Sequence, residues 1–193
     1  MYDAVSDDYC YAGTTVLKNK LDLRDAAELA DFEAEVSDAR ADEEAPAGDL
    51  DFKHFKAVHG HLFQDVYDWA GEIRTVRISK DDSMFCYPEN IEGEARKLFS
   101  QLKKEGYLKN LSAKDFAGKS AHFLSELNAI HAFREGNGRT QRAFLFMLGR
   151  QAGHEVDMTR IDPRAWNDAS RDSFRTGDSR SLRDIIAAAV GSS

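Results

Sequence analysis

The chain carries the sequence His131-Ala-Phe-Arg-Glu-Gly-Asn-Gly-Arg-Thr-Gln-Arg142, which combines a titratable base, a carboxylate, two glycines and two arginines. Gly136 and Gly138 allow the backbone to bend so that successive N–H groups point at one anion where a helix begins. Apolar residues at helical spacing follow, which places Arg139 and Arg142 near the start of that helix and on one face. Cations at the positive end of a helix each cost about 0.3–1 kcal/mol unless an anion binds there. The stretch therefore predicts a helix whose N-terminus binds a polyphosphate.

The composition is that of an ordinary globular protein. The 193 residues are 42% hydrophobic and 31% charged, which is enough for one sizeable core. The 26 basic and 34 acidic residues give a net charge of −8, so the bulk charge does not favour direct binding to nucleic acid or to an anionic membrane. We predict a single domain over residues 1–193, with a core at about 51–190 and a helical N-terminal extension at about 17–46.

The sequence also predicts where the protein is found. The N-terminus lacks a hydrophobic run flanked by basic residues, and no stretch reaches the ~18 apolar residues of a membrane-spanning helix. Two isolated cysteines fit a reducing compartment better than a disulfide framework. We therefore expect a cytoplasmic protein.

Helical periodicity dominates the chain. Leu29, Phe32 and Val36 recur at helical spacing and predict a long helix over 23–45, with Asp22 as its N-cap. An apolar face from Asp51 to Trp69 predicts a second, core helix. Further helices are predicted at about 89–104, 112–130, 138–151, 163–174 and 179–190.

The pattern changes between Arg74 and Tyr87. Residues 75–78 and 84–87 read as two short strands, and Lys80-Asp81-Asp82-Ser83 reads as the turn that joins them. The predicted fold class is therefore mainly α, with one small β-hairpin.

The segment from Glu126 to Arg142 resembles the signature of the Fic family, His-x-Phe-x-Asp/Glu-Gly-Asn-Gly-Arg-x-x-Arg, and matches every specified position. The resemblance extends through Val66-Tyr-Asp-Trp-Ala-Gly-Glu-Ile-Arg74 and the hairpin, and covers about residues 17–190. Ala132 stands at an unspecified position where proline is common in the family. The resemblance implies a Fic-type helical bundle in which the hairpin forms a flap.

Fic enzymes transfer AMP from ATP to a hydroxyl side chain of a target protein, so the resemblance implies a protein adenylyltransferase. His131 would be the general base that takes the hydroxyl proton, and an imidazole suits that role near neutral pH. Glu135 would hold Mg²⁺ against the α- and β-phosphates, because a carboxylate is a hard ligand for a hard cation. The α-phosphate is attacked and pyrophosphate leaves.

The resemblance also implies the nucleotide-binding positions. In the family the loop N–H groups stabilise charge on the phosphates, and the two arginines clamp the β- and γ-phosphates. From the sequence itself we interpret Phe133 as a core anchor beneath the loop. The implied nucleotide-binding residues are Phe133, Gly136, Asn137, Gly138, Arg139 and Arg142.

The hairpin has two interpretations. As plain structure it is a sheet edge blunted by charged residues. In the family the flap aligns an extended target segment by strand addition, and its residues are then expected to lie over His131. The residues assigned to this flap are Arg77, Ile78, Ser79, Lys80, Met84 and Phe85.

The other five histidines are interpreted as satisfied or solvated side chains without a catalytic role. A metal site built from His54, His59 and His61 is disfavoured, because their spacing distributes them around a helix and no thiolate supports them. The remaining two are His122 and His154.

The sequence lacks an inhibitory motif that many Fic enzymes contain. In that motif, Ser/Thr-x-x-x-Glu-Gly/Asn, the glutamate pairs with the second arginine of the signature. Glu precedes Gly or Asn here at Glu89, Glu92, Glu105 and Glu135, and none of the four has Ser or Thr four positions earlier. We therefore predict an open nucleotide site with Arg142 free, and a small helical antitoxin as a separate partner.

The chain would be the toxin of a bacterial toxin–antitoxin pair, and the resemblance suggests DNA gyrase or topoisomerase IV subunits as targets.

Three alternatives stay open. A Fic enzyme that transfers a different phosphate-containing group is disfavoured, because a relative of that kind lacks the glycine and the arginine found here as Gly138 and Arg142. A non-catalytic nucleotide-sensing or interaction module is disfavoured by the intact His131, Glu135 and Asn137. The third alternative is a fragment of a translocated effector that acts on host proteins.

Overall fold

A computed structural model describes residues 3–4, 7–80 and 83–191 of the chain, and for residues 3–4 it describes the backbone alone. The mainly helical fold with a small β element is confirmed. The elements are β1 (Asp3–Ala4), α1 (Ala26–Ala41), α2 (Phe52–Phe63), β2 (Ile78–Lys80), β3 (Ser83–Met84), α3 (Pro88–Lys104), α4 (Ala113–Ile130), α5 (Asn137–Ala152), α6 (Pro163–Thr176) and α7 (Arg180–Ala189).

The first helix begins later than the sequence predicted. The Asp25 side chain accepts hydrogen bonds from the N–H groups of Ala27 and Glu28, and this satisfies two of the donors exposed at a helix start. Asp22 has a φ of 56°, a left-handed backbone conformation that does not lead into a helix, so its assignment as the N-cap was wrong. The start of the predicted helical extension was also wrong, since Leu17 forms an isolated β-bridge with Cys10.

The second helix ends earlier than predicted. Asp51 caps it by accepting a 2.7 Å hydrogen bond from the His54 N–H. The helix stops at Phe63, whose carbonyl accepts hydrogen bonds from the N–H groups of both Val66 and Tyr67, at 3.0 Å each. The apolar pattern continues past Phe63 because Val66 and Tyr67 stay buried in the turns that follow.

The other helices lie within two residues of their predicted bounds. Ser112 caps α4 by accepting a hydrogen bond from the Asp115 N–H, and α4 packs against α3, α5, α6 and α7. The main hydrophobic core surrounds α4, and a smaller one lies between α2 and the segment from Cys10 to α1. Among the helices in the described part of the chain, none is long and apolar enough to cross a membrane. The fold thus centres on the helix that leads directly into His131.

The described strands form one antiparallel sheet in the order β1-β2-β3. Ser79 lies at its centre, opposite Asp3 on one side and Met84 on the other. Strand β1 was not predicted, and the turn residues Asp81 and Asp82 lie outside the described residues. Because β1 covers one edge of β2, the hairpin edge without a neighbouring strand in the described chain belongs to β3.

Candidate functional site

Helix α5 begins at a turn that only glycine fits. Gly136 is its N-cap with a φ of 79°, and a Cβ there would lie 2.4 Å from ring atoms of Phe63. The Gly136 N–H donates to the Glu135 carboxylate at 2.9 Å. The next N–H groups open the helix without a side-chain cap, so they are available to an anion. The glycine turn at the start of α5 is thus as the sequence predicted, and the binding of a polyphosphate there stays a prediction.

His131 lies at the C-cap of α4 in the left-handed conformation, with a φ of 49°. Its side chain is 2% exposed, because the ring of Phe85 stacks on the imidazole at 3.9 Å and Phe174 stacks on Phe85 at 4.4 Å. Burial, followed by the positive charge of Arg74, lowers the pKa of His131 to about 3. The imidazole is therefore neutral near pH 7, which is the form that can accept a proton.

A cavity of about 40 Å³ lies beside His131. It brings the imidazole together with Gly138, the second residue of α5, and with the polar side chains of α6. The buried Ser170 hydroxyl on α6 has no hydrogen-bond partner among the residues that the structure describes. Phe85 covers the imidazole and leaves only this small space beside it. The cavity is lined by Lys80, Phe85, Asn128, His131, Gly138, Gln141, Asn167, Ser170, Arg171 and Phe174.

Arg139 is held by helix α1. Its guanidinium forms an ion pair with the carboxylate of Glu33 and donates to the Ser37 hydroxyl at 3.0 Å. The Tyr67 hydroxyl donates to the other oxygen of Glu33, which is 7% exposed. The guanidinium also lies 4.8 Å from the centre of the Phe63 ring. The Glu33 carboxylate thus already pairs with Arg139, one of the two arginines predicted to bind phosphate.

The sequence interpretation missed Glu33 and Ser37. It assigned the buried face of α1 to Leu29, Phe32 and Val36, whereas the buried residues are Leu29, Glu33 and Ser37. The signal that could have found them is the spacing of four residues, which places all three on one helix face.

Arg142 has a different environment. It forms no hydrogen bond or ion pair with any residue in the described ranges. Burial and the nearby Arg139 charge lower the pKa of Arg142 from its usual value. Arg142 is half-buried, and the charge of Asp38 acts on it without a hydrogen bond or ion pair. That Arg142 meets a phosphate or a glutamate supplied in trans stays a prediction.

Glu135 offers one carboxylate, on which the charges of Arg139 and Arg134 act. Burial and the negative charge of Glu33 raise the pKa of Glu135, so a cation bound there would relieve repulsion. No cluster of three or more possible metal-binding side chains occurs in the described residues. A single carboxylate suits Mg²⁺, which takes its other ligands from water and substrate phosphates.

Two side chains of the signature support the loop from inside. Phe133 is fully buried and stacks on His59 at 3.8 Å, which confirms it as a core anchor. The amide of Asn137 donates to the Phe133 carbonyl at 2.8 Å and accepts from the Phe133 N–H at 3.0 Å. Both side chains face the protein interior, where they shape the loop. The nucleotide-binding role of these two positions stays a prediction.

His59 also supports this loop. Its Nδ1 accepts a hydrogen bond from the Gly71 N–H at 2.8 Å, so Nε2 carries the proton and donates to the Glu135 carbonyl at 3.0 Å. Burial lowers the pKa of His59 to about 3, which keeps this tautomer neutral. Arg134 ties the same loop to the N-terminal segment through a buried ion pair with Asp7, at 2.5 Å.

The predicted flap residues do not act as one group. Phe85 and Lys80 line the cavity beside His131. Arg77 instead lies 3.4 Å from the Glu89 carboxylate, and Met84 lines a separate groove between the hairpin and helices α3 and α4. The expectation that all six residues lie over His131 was therefore wrong, because alternate residues of a strand point to opposite faces. Ile78 is buried and Ser79 lies at the centre of the sheet.

The interpretation of the other histidines is confirmed. Besides His59, three of them bond through Nε2 to a backbone carbonyl: His54 to Pro46, His61 to Arg40 and His154 to Leu111. His122 is exposed.

Comparisons with known proteins agree with this geometry. Residues 49–148 match the model of the Fic/DOC family. The chain is 50% identical over 178 residues to the probable protein adenylyltransferase y4lH of Sinorhizobium fredii, and the match covers 92% of each chain. It is 35% identical over 186 residues to the probable protein adenylyltransferase Fic of Escherichia coli, covering 95% of this chain and 92% of that one.

Solved structures show the same fold. The crystal structure of BepC, a VirB-translocated effector protein of Bartonella tribocorum with bound AMPPNP, superimposes with a TM-score of 0.86 at 28% identity. The superposition covers 96% of this chain and 97% of that chain. An N-terminal Fic domain from Bartonella quintana with bound ADP gives the same TM-score at 27% identity, covering 95% of this chain and 94% of that chain.

Proposed function

Because the chain belongs to the Fic/DOC family, we infer that it is a protein adenylyltransferase, which transfers AMP from ATP to a hydroxyl side chain of a target protein. The observation that carries this inference is the position of His131 beside Gly138 at the start of α5, in one cavity. A neutral base there meets a helix N-terminus that can hold phosphate. The similar proteins of Sinorhizobium fredii and Escherichia coli are both named probable protein adenylyltransferases.

In the proposed reaction, His131 takes the proton of the target hydroxyl as its oxygen attacks the α-phosphate of ATP. The bond from the α-phosphorus to the bridging oxygen breaks, and pyrophosphate leaves with the electron pair. Because Phe85 covers the imidazole in this structure, the target and nucleotide must displace that ring to reach His131.

The start of α5 stabilises the phosphates. Its first N–H groups and Arg142 supply positive charge that has no protein acceptor among the described residues. Arg139 would contact a phosphate once its bond to Glu33 is exchanged. Mg²⁺ would be held by Glu135 and would neutralise phosphate charge as the leaving group departs.

The target is proposed from the sheet and from family resemblance. An extended target segment would add to the β3 edge of the hairpin, since β1 covers the opposite edge of β2. DNA gyrase or topoisomerase IV subunits are the candidates that the family resemblance suggests.

A separate small helical protein is proposed as the regulator in a bacterial toxin–antitoxin pair. Arg142 forms no ion pair within the described chain, although the charge of Asp38 acts on it, and no Ser/Thr-x-x-x-Glu-Gly/Asn segment occurs in the sequence. A glutamate supplied in trans would therefore find a free cation. Expression of this chain alone should arrest bacterial growth, and co-expression of such a protein should restore it. Normal growth under expression of the active chain would rule out the toxin role.

The function is tested by incubating the protein and Mg²⁺ with cell lysate and either α-labelled or γ-labelled ATP. Adenylyl transfer places the α-label on a target protein and leaves the γ-label in pyrophosphate. Label from γ-labelled ATP alone would indicate phosphoryl transfer, and label from neither would indicate a nucleotide-binding module. Mass spectrometry of the labelled band then identifies the target.

A further inference from the structure

Arg74 is a fully buried cation that pairs with backbone carbonyls. It is 1% exposed, and within the described residues it has no carboxylate partner. Its guanidinium donates to the carbonyls of His131 at 2.7 Å, Val76 at 2.6 Å and Cys86 at 2.6 Å, with a longer bond of 3.4 Å to Ile130. A buried charge is costly, so a cation surrounded by neutral acceptors calls for a specific role.

Two of these carbonyls belong to the end of α4. The last carbonyls of a helix have no partner within the helix and carry its negative dipole end, which a cation stabilises. The Arg74 N–H also donates to the carbonyl of Ala132 at 3.0 Å. Arg74 therefore holds three successive carbonyls, from Ile130 to Ala132, in the segment that turns His131 into its left-handed conformation.

The other two carbonyls lie at the base of the hairpin. Val76 precedes β2 and Cys86 follows β3, so one guanidinium joins both ends of the hairpin. The Cys86 N–H donates to the Ala129 carbonyl of α4 at 3.1 Å, which fixes the same base to the same helix end. The planar guanidinium can direct several N–H donors at once, which the single ammonium of lysine cannot reproduce.

We propose that Arg74 is a positioning residue that fixes the hairpin relative to His131, so that a target aligned on the hairpin presents its hydroxyl to the imidazole. The proposal rests on the adenylyltransferase function inferred above. Arg74 contacts no residue of α5 through its hydrogen bonds, so its loss should leave nucleotide binding intact. Misplacement of reacting groups by about 1 Å can cost about 100-fold in rate.

The experiment compares Arg74→Gln, Arg74→Lys and Arg74→Ala with Leu182→Ala, a destabilising core variant in α7 outside the hairpin and the signature. Transfer from α-labelled ATP to the lysate target should fall about 100-fold in the Arg74 variants. Their nucleotide Kd should stay within about twofold of the parent, and guanidinium ion at a non-denaturing concentration should partly restore Arg74→Ala. Leu182→Ala should keep its transfer rate at temperatures where it is folded.

Two results would overturn the proposal. One is parent-like transfer by Arg74→Lys and Arg74→Gln, and the other is a loss of transfer matched by an equal loss of nucleotide affinity. Hydrogen exchange of the folded proteins separates this proposal from the function on which it rests. If the parent transfers no label, the proposed function fails, and exchange alone decides the positioning role. Faster exchange in both 76–86 and 128–132 of Arg74→Gln supports that role, and unchanged exchange contradicts it.

Discussion

The proposed reaction would have Arg139 bind two anions in turn. The structure pairs it with Glu33, while the proposed reaction requires it at a phosphate of ATP. Glu33 also raises the pKa of Glu135, so its negative charge acts on both the phosphate-binding and the metal-binding side chains. A carboxylate at this place competes with the nucleotide for the same cation and repels it.

Replacing Glu33 by glutamine tests that competition. Glu33→Gln keeps the shape of the side chain and removes its charge, so nucleotide affinity should rise by about tenfold. That change is about 1.4 kcal/mol, close to the lower end of the ~1.5–3 kcal/mol of a hydrogen bond to a charged group. Isothermal titration with a non-hydrolysable ATP analogue measures this. Glu35→Gln is the matched control, since Glu35 is an exposed residue of the same helix. Weaker binding by Glu33→Gln would mean that Glu33 holds Arg139 in place for the phosphate.

At the scale of elements, the start of α5 depends on a single glycine. Gly136→Ala would strain a residue with a φ of 79° and drive its Cβ into Phe63. We expect this variant to lose nucleotide binding and at least ~1–2 kcal/mol of stability.

An exposed helical glycine provides the comparison. Gly93 lies inside α3 with open space around its Cα. Gly93→Ala should therefore stabilise the protein by about 0.5–1 kcal/mol and leave nucleotide affinity unchanged. Chemical denaturation and nucleotide titration of both variants check this, and a tolerated Gly136→Ala would contradict the account of the turn.

Elements with local signals could be predicted from the sequence. Helices α3 to α7 have caps, prolines or apolar periodicity that mark their ends, and the glycine turn before α5 has its own pattern. The end of α2 could not be predicted, because Val66 and Tyr67 are as buried in a turn as they would be in a helix. Strand β1 could not be predicted either, because two residues carry no periodicity.

The candidate site likewise has residues that the local sequence predicts and residues that it does not. The signature residues are contiguous, so the sequence brings His131, Glu135 and the α5 start together. Glu33 and Arg74 reach this place from 106 and 57 positions away along the chain. No local pattern reports such contacts, since they arise when helices and hairpin pack. The position of Phe85 over His131 was implied by the family resemblance, and no local pattern predicted that its ring stacks on the imidazole.

At the scale of the whole molecule, two buried histidines couple stability to pH. Burial lowers the pKa of both His59 and His131 to about 3, whereas an unfolded chain binds these protons near pH 6.5. Below about pH 6.5 the unfolded state therefore binds more protons than the folded state. The stability that the two neutral histidines contribute is fully present above that pH and is lost as the pH falls toward 3.

The expected slope can be measured between pH 6 and pH 5. Each histidine should lower the free energy of unfolding by up to about 1.4 kcal/mol per pH unit. His131→Ala should show a smaller slope than the parent by about that amount, and the difference cancels the groups common to both proteins. Urea denaturation at the two pH values provides the data. Equal slopes for the two proteins would show that His131 is not buried as a neutral base.

The central claim is that His131 is the base for AMP transfer, and one measurement tests it most directly. The parent and His131→Ala are compared for nucleotide affinity and for transfer of α-labelled AMP to the lysate target. The account predicts an unchanged nucleotide Kd and a transfer rate that falls by about 10² or more in His131→Ala. Transfer by His131→Ala at the parent rate would contradict it.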